Sequence, residues 1–260
     1  MNVYYMNGAG NDFMVMDARG KSFDFEKLSV ELCKLTGADG FMAVDVSQKA
    51  DFRLHFYNAD GSRGEMCGNG ARCICRFAHD MGIAGPQMTV ETDAGLVPGW
   101  RLDENVYRVK LNNPSVLDLH RKGDIAYAEL GCPGVPHGVA GYEGDLWGNK
   151  ESLREEMRQL RFDPAFPKGA NINFYQCLGP GEVRVLTFER GVEDFTLACG
   201  TGTGSVACTM WRLGLLPEKY LTAHNPGGTL KVKLETQGDS VTAIYLVGPT
   251  QITKVFEDIL

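Results

Sequence analysis

The spacing of apolar and polar residues predicts two kinds of element along this chain. Alternation with period two marks strands. In DFRLHFYNADG, Phe52, Leu54 and Phe56 point one way and Arg53, His55 and Tyr57 the other, before Asn58 to Gly61 turn the chain. Apolar runs at Val3–Met6 and Phe13–Met16 flank GAGND and predict strand, loop, strand. Further short strands are expected at 88–91, 95–101, 106–111, 125–130, 135–140, 172–177, 183–188, 230–235 and 241–247. Helical spacing is rarer. Asp24 can cap a helix from Phe25 to Leu35, with Phe25, Leu28, Leu32 and Leu35 on its inner face and Gly37 as its stop. A second helix follows Cys67 as far as Met81, and Leu153, Met157 and Leu160 mark a third with a charged outer face. The run after Cys199, GTGTGSVACTMWRLGLL, has almost no polar side. Its helix is expected to be buried all round and limited by Pro217. From Pro249 the chain reads as a tail.

Many short strands with few helices predict an α+β fold rather than a doubly wound parallel sheet. Asn112-Asn113-Pro114 is the candidate boundary. It gives one unit of residues 1–113, to which the tail 249–260 returns, and a second of residues 114–248.

Two stretches in these units repeat each other. GEMCGNGARC runs from Gly64 to Cys73 and TLACGTGTGS from Thr196 to Ser205, each with a cysteine directly before a Gly-x-Gly step and a helix. Cys67 and Cys199 are 132 residues apart, and the turns TDAG and NPGG keep nearly the same offset at Gly95 and Gly228. The first turn of a helix has unpaired N–H groups and the positive end of the dipole, which favour an anion. The same field raises the thiolate fraction of a cysteine placed there. Two such starts facing each other would hold one carboxylate between two thiols, which suits moving a proton on and off the adjacent carbon. One such motif alone reads as a buried small hydrophobe; the repeat favours chemistry.

Composition narrows the class. With 260 residues, 43% hydrophobic and 23% charged, the chain is ordinary and globular, and a net charge of −7 argues against general nucleic-acid binding. The start has no basic region followed by an apolar run, and no stretch is long enough for a membrane span, so a soluble cytoplasmic protein is expected. The eight cysteines read as thiols rather than a disulfide framework, and their spacing predicts no metal site. GTGTG is not G-x-G-x-x-G and no P-loop pattern occurs, so no cofactor is predicted.

NGAGNDF at Asn7, GADGFMAV at Gly37, FYNADGSRGEMCGNGARC at Phe56 and ERGVEDFTLACGTGTGS at Glu189 together resemble the diaminopimelate epimerase family nearly end to end. The resemblance implies two pseudo-symmetric domains, each a barrel-like, mostly antiparallel sheet around a central helix, with the site in the cleft between them. It implies a cofactor-independent isomerase that interconverts L,L- and meso-diaminopimelate, acts in lysine and peptidoglycan precursor synthesis, and works as a homodimer. Cys67 and Cys199 become acid and base; Asn11, Asn58, Asn171, Glu189 and Arg190 become substrate contacts. The amides of Gly68-Asn69 and Gly200-Thr201 become the carboxylate cradle, with His137 near Cys67 and Glu189 near Cys199. Read alone, Asn11 and Asn58 are turn residues, Asn171 a cap, and Glu189-Arg190 a surface pair.

Two positions depart from the family pattern. Val135 stands where many members have an asparagine before Pro-His, and Gly40 where some have glutamine. Each removes a polar contact without touching the reacting carbon. A racemase of another amino acid such as histidine, a related isomerase of a different small acid, a non-catalytic amino-acid binder and a thiol redox protein remain the alternatives.

Overall fold

Each helix of this chain bridges a parallel pair of strands, and the remaining strands pair mostly antiparallel. Residues 1–64 and 67–259 are described in the computed structural model; Glu65 and Met66 of the first repeated motif, and the terminal Leu260, lie outside the described residues. The order is β1 (Val3–Gly8), β2 (Asn11–Asp17), α1 (Phe25–Thr36), β3 (Gly40–Asp45), β4 (Phe52–Asn58), α2 (Gly68–Asp80), β5 (Gln87–Thr92), β6 (Gly95–Arg101) and β7 (Val106–Leu111). There follow β8 (Pro114–Lys122), β9 (Ile125–Gly131), β10 (Gly134–Gly141), α3 (Lys150–Arg161), β11 (Asn171–Gly179), β12 (Glu182–Glu189) and β13 (Asp194–Thr196). The chain ends with α4 (Gly200–Arg212), β14 (Tyr220–Asn225), β15 (Gly228–Gln237), β16 (Ser240–Pro249) and β17 (Gln251–Phe256). The fold is therefore α+β and rich in sheet.

The chain divides into two compact units, residues 1–110 with 247–260, and residues 111–246. In the first, α1 joins the parallel pair β2–β3 and α2 joins β4–β5. In the second, α3 joins β10–β11, and β13 with α4 joins β12–β14. Parallel neighbours need a long crossover where antiparallel ones need only a turn, which is why the helices fall at these places.

Within each unit one helix lies outside the sheet and one inside it. Helix α1 packs on β2, β3 and β4, and α3 on β11 and β12. Helix α2 meets β1, β2, β3 and β6, and α4 meets β8, β9, β10, β11, β14 and β15, so each sheet wraps around its inner helix. The sequence explains the difference. Helix α3 buries only Leu153, Met157 and Leu160, against Phe166, Phe174 and Phe188. Helix α4 buries an unbroken run from Gly202 to Met210.

Four expectations change. The inner face of α1 is Leu28, Ser29, Leu32 and Cys33. It is centred near Leu32 and Cys33, which leaves Leu35 on its rim at 67% exposure. Helix α4 ends at Arg212, well before Pro217, because Gly214 takes a left-handed φ of 74°. Leu215 N then donates to Met210 O and Gly214 N to Trp211 O, which satisfies the last carbonyls. The stretch from Pro249 is no loose tail: β17 pairs with β1 from Val3↔Phe256 to Asn7↔Gln251. Strands β3, β8, β13 and β14 also went unread in the sequence. Among the described residues, no helix is long and apolar enough to cross a membrane.

Candidate active site

The two repeated motifs fold the same way. Cys67 is the N-cap of α2 with φ −123° and ψ 124°, and Cys199 the N-cap of α4 with φ −118° and ψ 114°. Each cysteine carbonyl accepts the first helical bond, from Ala71 N at 2.7 Å and from Thr203 N at 2.9 Å. The residues directly after each cysteine, Gly68-Asn69 and Gly200-Thr201, therefore occupy the first turn. Their N–H groups are not used by the helix ladder and point out of its end. The α4 start spends one such donor on the thiol itself, since Gly202 N lies 3.3 Å from Cys199 Sγ, and Thr201 Oγ1 is 3.5 Å from the same sulfur.

In the first unit the start of α2 is built into a chain of amides. Asn69 is 1% exposed and donates Nδ2–H to Asn11 Oδ1 at 2.7 Å. Asn11 in turn donates to Asp39 Oδ2 at 3.2 Å, and the Asp12 backbone donates to the same oxygen at 2.9 Å. Behind Asn69 lies Arg72, fully buried, whose Nη1 donates to Asn69 Oδ1 at 3.0 Å and to Gly68 O at 3.2 Å. Burial lowers its pKa, and the cysteines Cys73, Cys67 and Cys75 oppose that shift. Asn58 ends β4 and donates to Ser62 Oγ at 2.9 Å. Its neighbour Ala59 donates to Asp39 O at 3.1 Å, so this turn is tied to the aspartate that holds Asn11. Gly40 sits opposite Asn58 in the β3–β4 ladder, and a Cβ there would lie 2.9 Å from Phe56 and from the Tyr57 carbonyl. A glutamine cannot stand at that position without moving both.

In the second unit the organiser is Asn173, which the sequence reading missed. It is fully buried on β11. Its Nδ2 donates to Gly138 O at 3.1 Å and Asn171 O at 3.2 Å and lies 3.2 Å from His137 Nδ1, while its Oδ1 accepts from Thr187 Oγ1 at 2.9 Å. Two carbonyl acceptors fix which end of the amide is nitrogen. His137 Nδ1 must then be the acceptor, and the proton of the neutral ring sits on Nε2. Burial, with Arg190 adding to it, pulls the His137 pKa down to about 3, so the ring is neutral at physiological pH. Its Nε2 is buried without a hydrogen-bond partner among the described residues. Asn173 also lies directly under the α4 start, where a Cβ on Gly202 would run into Asn173 Oδ1. That close approach is what the Gly-x-Gly step permits in this unit.

Asn171 is more than a cap. Its Nδ2 donates to Pro136 O at 3.2 Å and its Oδ1 accepts from Arg190 N at 2.8 Å, so it joins β10 to the turn after β12. Arg190 is exposed and reaches back to Lys168 O at 3.1 Å. Lys168 grips Glu129 with Nζ at 3.0 and 2.8 Å from its two oxygens, and Tyr127 donates to the same carboxylate at 2.6 Å. Glu189 is half-buried beside Arg190. Burial pushes Cys73, Cys75 and Cys208 up to about 12 and Cys33 to about 11, which keeps them as thiols. No cluster of three or more side chains able to hold a metal occurs among the described residues.

The described geometry thus joins Asn11 and Asn69 at the α2 start that Cys67 caps, and sets His137 against Asn173 under the α4 start that Cys199 caps, while Asn171 and Arg190 bond to each other at the turn after β12. Asn173, Thr187 and Arg72 were hidden from the motif reading. The signal for all three is a polar residue inside an apolar run: INFYQ, VLTFE and ARCICRF.

Comparison with known proteins gives this site a family. The diaminopimelate epimerase family model matches residues 3–116 and 138–253, and so leaves out the segment that holds Val135 and His137. A diaminopimelate epimerase of Hydrogenobaculum sp. is 35% identical over 97% of this chain and 96% of its own length. One from Chlorobaculum tepidum is 35% identical over 95% and 96%. Among solved structures, a phenazine biosynthesis protein of the PhzF family from Bacillus anthracis shares the fold at a TM-score of 0.72 and 15% identity, covering 100% of this chain and 99% of its own. A probable proline racemase from Agrobacterium radiobacter K84 does so at 0.66 and 16%, over 100% and 93%. With the family model spanning both repeated cysteine motifs and relatives matched nearly end to end, this chain belongs to the diaminopimelate epimerase family and is an isomerase.

Proposed function

We propose that the protein interconverts L,L- and meso-diaminopimelate by moving a proton at one α-carbon, with Cys67 and Cys199 on its opposite faces. The observation that carries this reading is the repetition itself: two cysteines, each the N-cap of a buried helix, each followed by first-turn amides. The thiolate of one takes the α-hydrogen as a proton. The electron pair left on carbon spreads into the carboxylate, and the amides of Gly68-Asn69 and Gly200-Thr201 stabilise that charge as it develops. The thiol of the other cysteine delivers a proton to the far face, so one proton leaves, one arrives, and thiol and thiolate have exchanged. Asn11 and Asn69 orient the reacting end. At the far end Arg190 offers a planar fork to the second carboxylate, with Asn58, Asn171 and Glu189 as its companions. His137 supports the site with its Nε2–H. A homodimer in the cytoplasm, serving lysine synthesis, accompanies this reading.

Gly40 and Val135 favour one second reading, a racemase of another amino acid, because both lack the polar side chain that other members carry. Incubation in deuterium oxide with diaminopimelate, histidine, glutamate and lysine separates the two. The expected result is deuterium at the α-position of diaminopimelate, with the single-centre amino acids poor substrates. Arg190→Ala should cripple that exchange and Arg190→Lys should rescue it weakly. If one of the smaller amino acids wins by about an order of magnitude, the substrate is wrong and only the chemistry stands. Wash-in to none of them would leave a binder.

A further inference from the structure

Arg72 is a cation placed where a cation is costly. It is 0% exposed, and two of its three nitrogens, Nε and Nη2, have no hydrogen-bond partner among the described residues. Breaking or omitting the counter-charge of a buried ion is among the larger penalties a fold can carry. No carboxylate pairs with this guanidinium among the described ion pairs; the ionisable groups that act on it are Cys73, Cys67 and Cys75. Burial keeps Cys73 and Cys75 protonated. That leaves Cys67, at the N-cap of the same helix and one peptide from the Gly68 carbonyl that Arg72 holds at 3.2 Å. The matching step in α4, the fifth residue after Cys199, is Gly204, which carries no charge and packs on Leu111, Leu130 and Ile244.

We propose that Arg72 is a positioning residue that makes Cys67 the resting anion of the two thiols and fixes the direction of the Asn69–Asn11 amides beside it. Its Nη1 occupies Asn69 Oδ1, so Asn69 must present Nδ2–H to Asn11, and Asn11 must turn its own Nδ2–H to Asp39. The other charged groups about this end of α2 are Asp12 and Asp39, which lie on the far side of the amide chain, and Arg76 one turn along the helix. The two aspartates disfavour an anion at Cys67; the helix dipole and Arg72, sealed from water and bonded to the neighbouring Gly68 carbonyl, favour it. This inference rests on the two-thiol reading of the site, but its test does not use turnover.

The test is the rate of iodoacetamide alkylation at Cys67 and at Cys199, resolved by peptide mass spectrometry in the same molecule. In the unaltered protein the pH profile of Cys67 should have the lower midpoint. Arg72→Met, similar in length and uncharged, should slow Cys67 roughly tenfold at neutral pH, as a rise of one pKa unit does, and leave Cys199 within about twofold. Arg72→Lys, which keeps the charge, should restore most of the Cys67 rate. A Cys67-to-Cys199 ratio that Arg72→Met does not change overturns the proposal. If that variant does not fold, the profiles of the unaltered protein decide: a lower midpoint at Cys199 overturns it equally. Labelling that follows these expectations in a protein that washes no deuterium into diaminopimelate would fault the catalytic reading instead.

Discussion

Five residues after its capping cysteine, α2 carries Arg72 sealed in the core, whereas α4 carries Gly204, where a Cβ would already press on Leu111 at 3.1 Å. The backbones of the two helix starts agree within about 10° at the cysteine, yet what stands behind them differs in kind. Behind Cys67 lie a buried guanidinium and a line of amides that ends on Asp39. Behind Cys199 lies an uncharged set, Asn173 with Thr187 and a neutral His137. A repeated strand-and-helix frame supplies two anion-binding amide ends. Divergence inside that frame gives the two capping cysteines unequal surroundings, which the proposed acid–base exchange between two identical side chains would require. The glycines make the same point: Gly202 admits Asn173 under α4, and Gly204 lets the helix settle on apolar neighbours.

The strongest way to break the comparison is to remove one sulfur at a time. If both helix starts serve one reaction, Cys67→Ala and Cys199→Ala should each lower epimerisation by at least about a thousandfold in both directions, since each face of the carbon loses its only proton carrier. The assay is circular dichroism or chiral chromatography of the diaminopimelate isomers. A single variant with near-normal turnover both ways would falsify the pairing. Cys73, Cys75 and Cys208, all held as thiols by burial, should change activity only through packing when replaced by Ala.

The supporting networks should differ measurably in stability. Asn173→Ala leaves the Gly138 and Asn171 carbonyls, His137 Nδ1 and Thr187 Oγ1 without a shared partner in the core. A loss of about 3 kcal/mol is expected. Asn69→Ala strips one bond each from Asn11 and Arg72, and Arg72 keeps the Gly68 carbonyl, so about 1–2 kcal/mol is expected. Urea unfolding with an unchanged slope measures both. Equal losses would mean that the amide chain of the first unit is as much a keystone as Asn173.

How far the sequence shows this can be seen residue by residue. The alternation in β4, the Asp24 cap with its Gly37 stop, and the two buried helices were legible, because period and caps are local properties. Strand β8 was not: PSVLDLHRK is half-buried along most of its length and never alternates cleanly. Strand β17 was read as a tail because QITKVF exposes most of its residues, and only its distant partner β1 makes it a strand. The cysteines stood out because two copies of a rare local motif are improbable. Asn173 did not, since most of its bonds run to residues on other strands, and neither did Arg72, whose partners Gly68 and Asn69 lie one turn back in its own helix but whose burial no local pattern describes. For both, a polar side chain on an apolar face was the available sign.

The smallest effect concerns His137 in the second unit, in the uncharged buried set behind Cys199. Its pKa in the folded protein is depressed to about 3 by burial and by Arg190, against about 6.5 in the unfolded chain. Between those values the unfolded state binds a proton that the folded state does not. The neutral ring therefore costs nothing above about pH 7, and stability falls as pH drops through 6.5 toward 3. From pH 7 to pH 5 the loss from this one group should be about 2 kcal/mol. His137→Asn keeps an acceptor for Asn173 and cannot titrate. Its stability at pH 7 should be lower than that of the unaltered protein, because packing and the Nε2–H are lost, but its decline from pH 7 to pH 5 should be shallower by that amount. The comparison is of slopes, so carboxylates that titrate in both proteins cancel. Parallel slopes would mean that His137 gains its proton in the folded state at an ordinary pH. Asn173 would then have to turn its amide oxygen to Nδ1, away from Thr187, and the buried set behind Cys199 would no longer be uncharged.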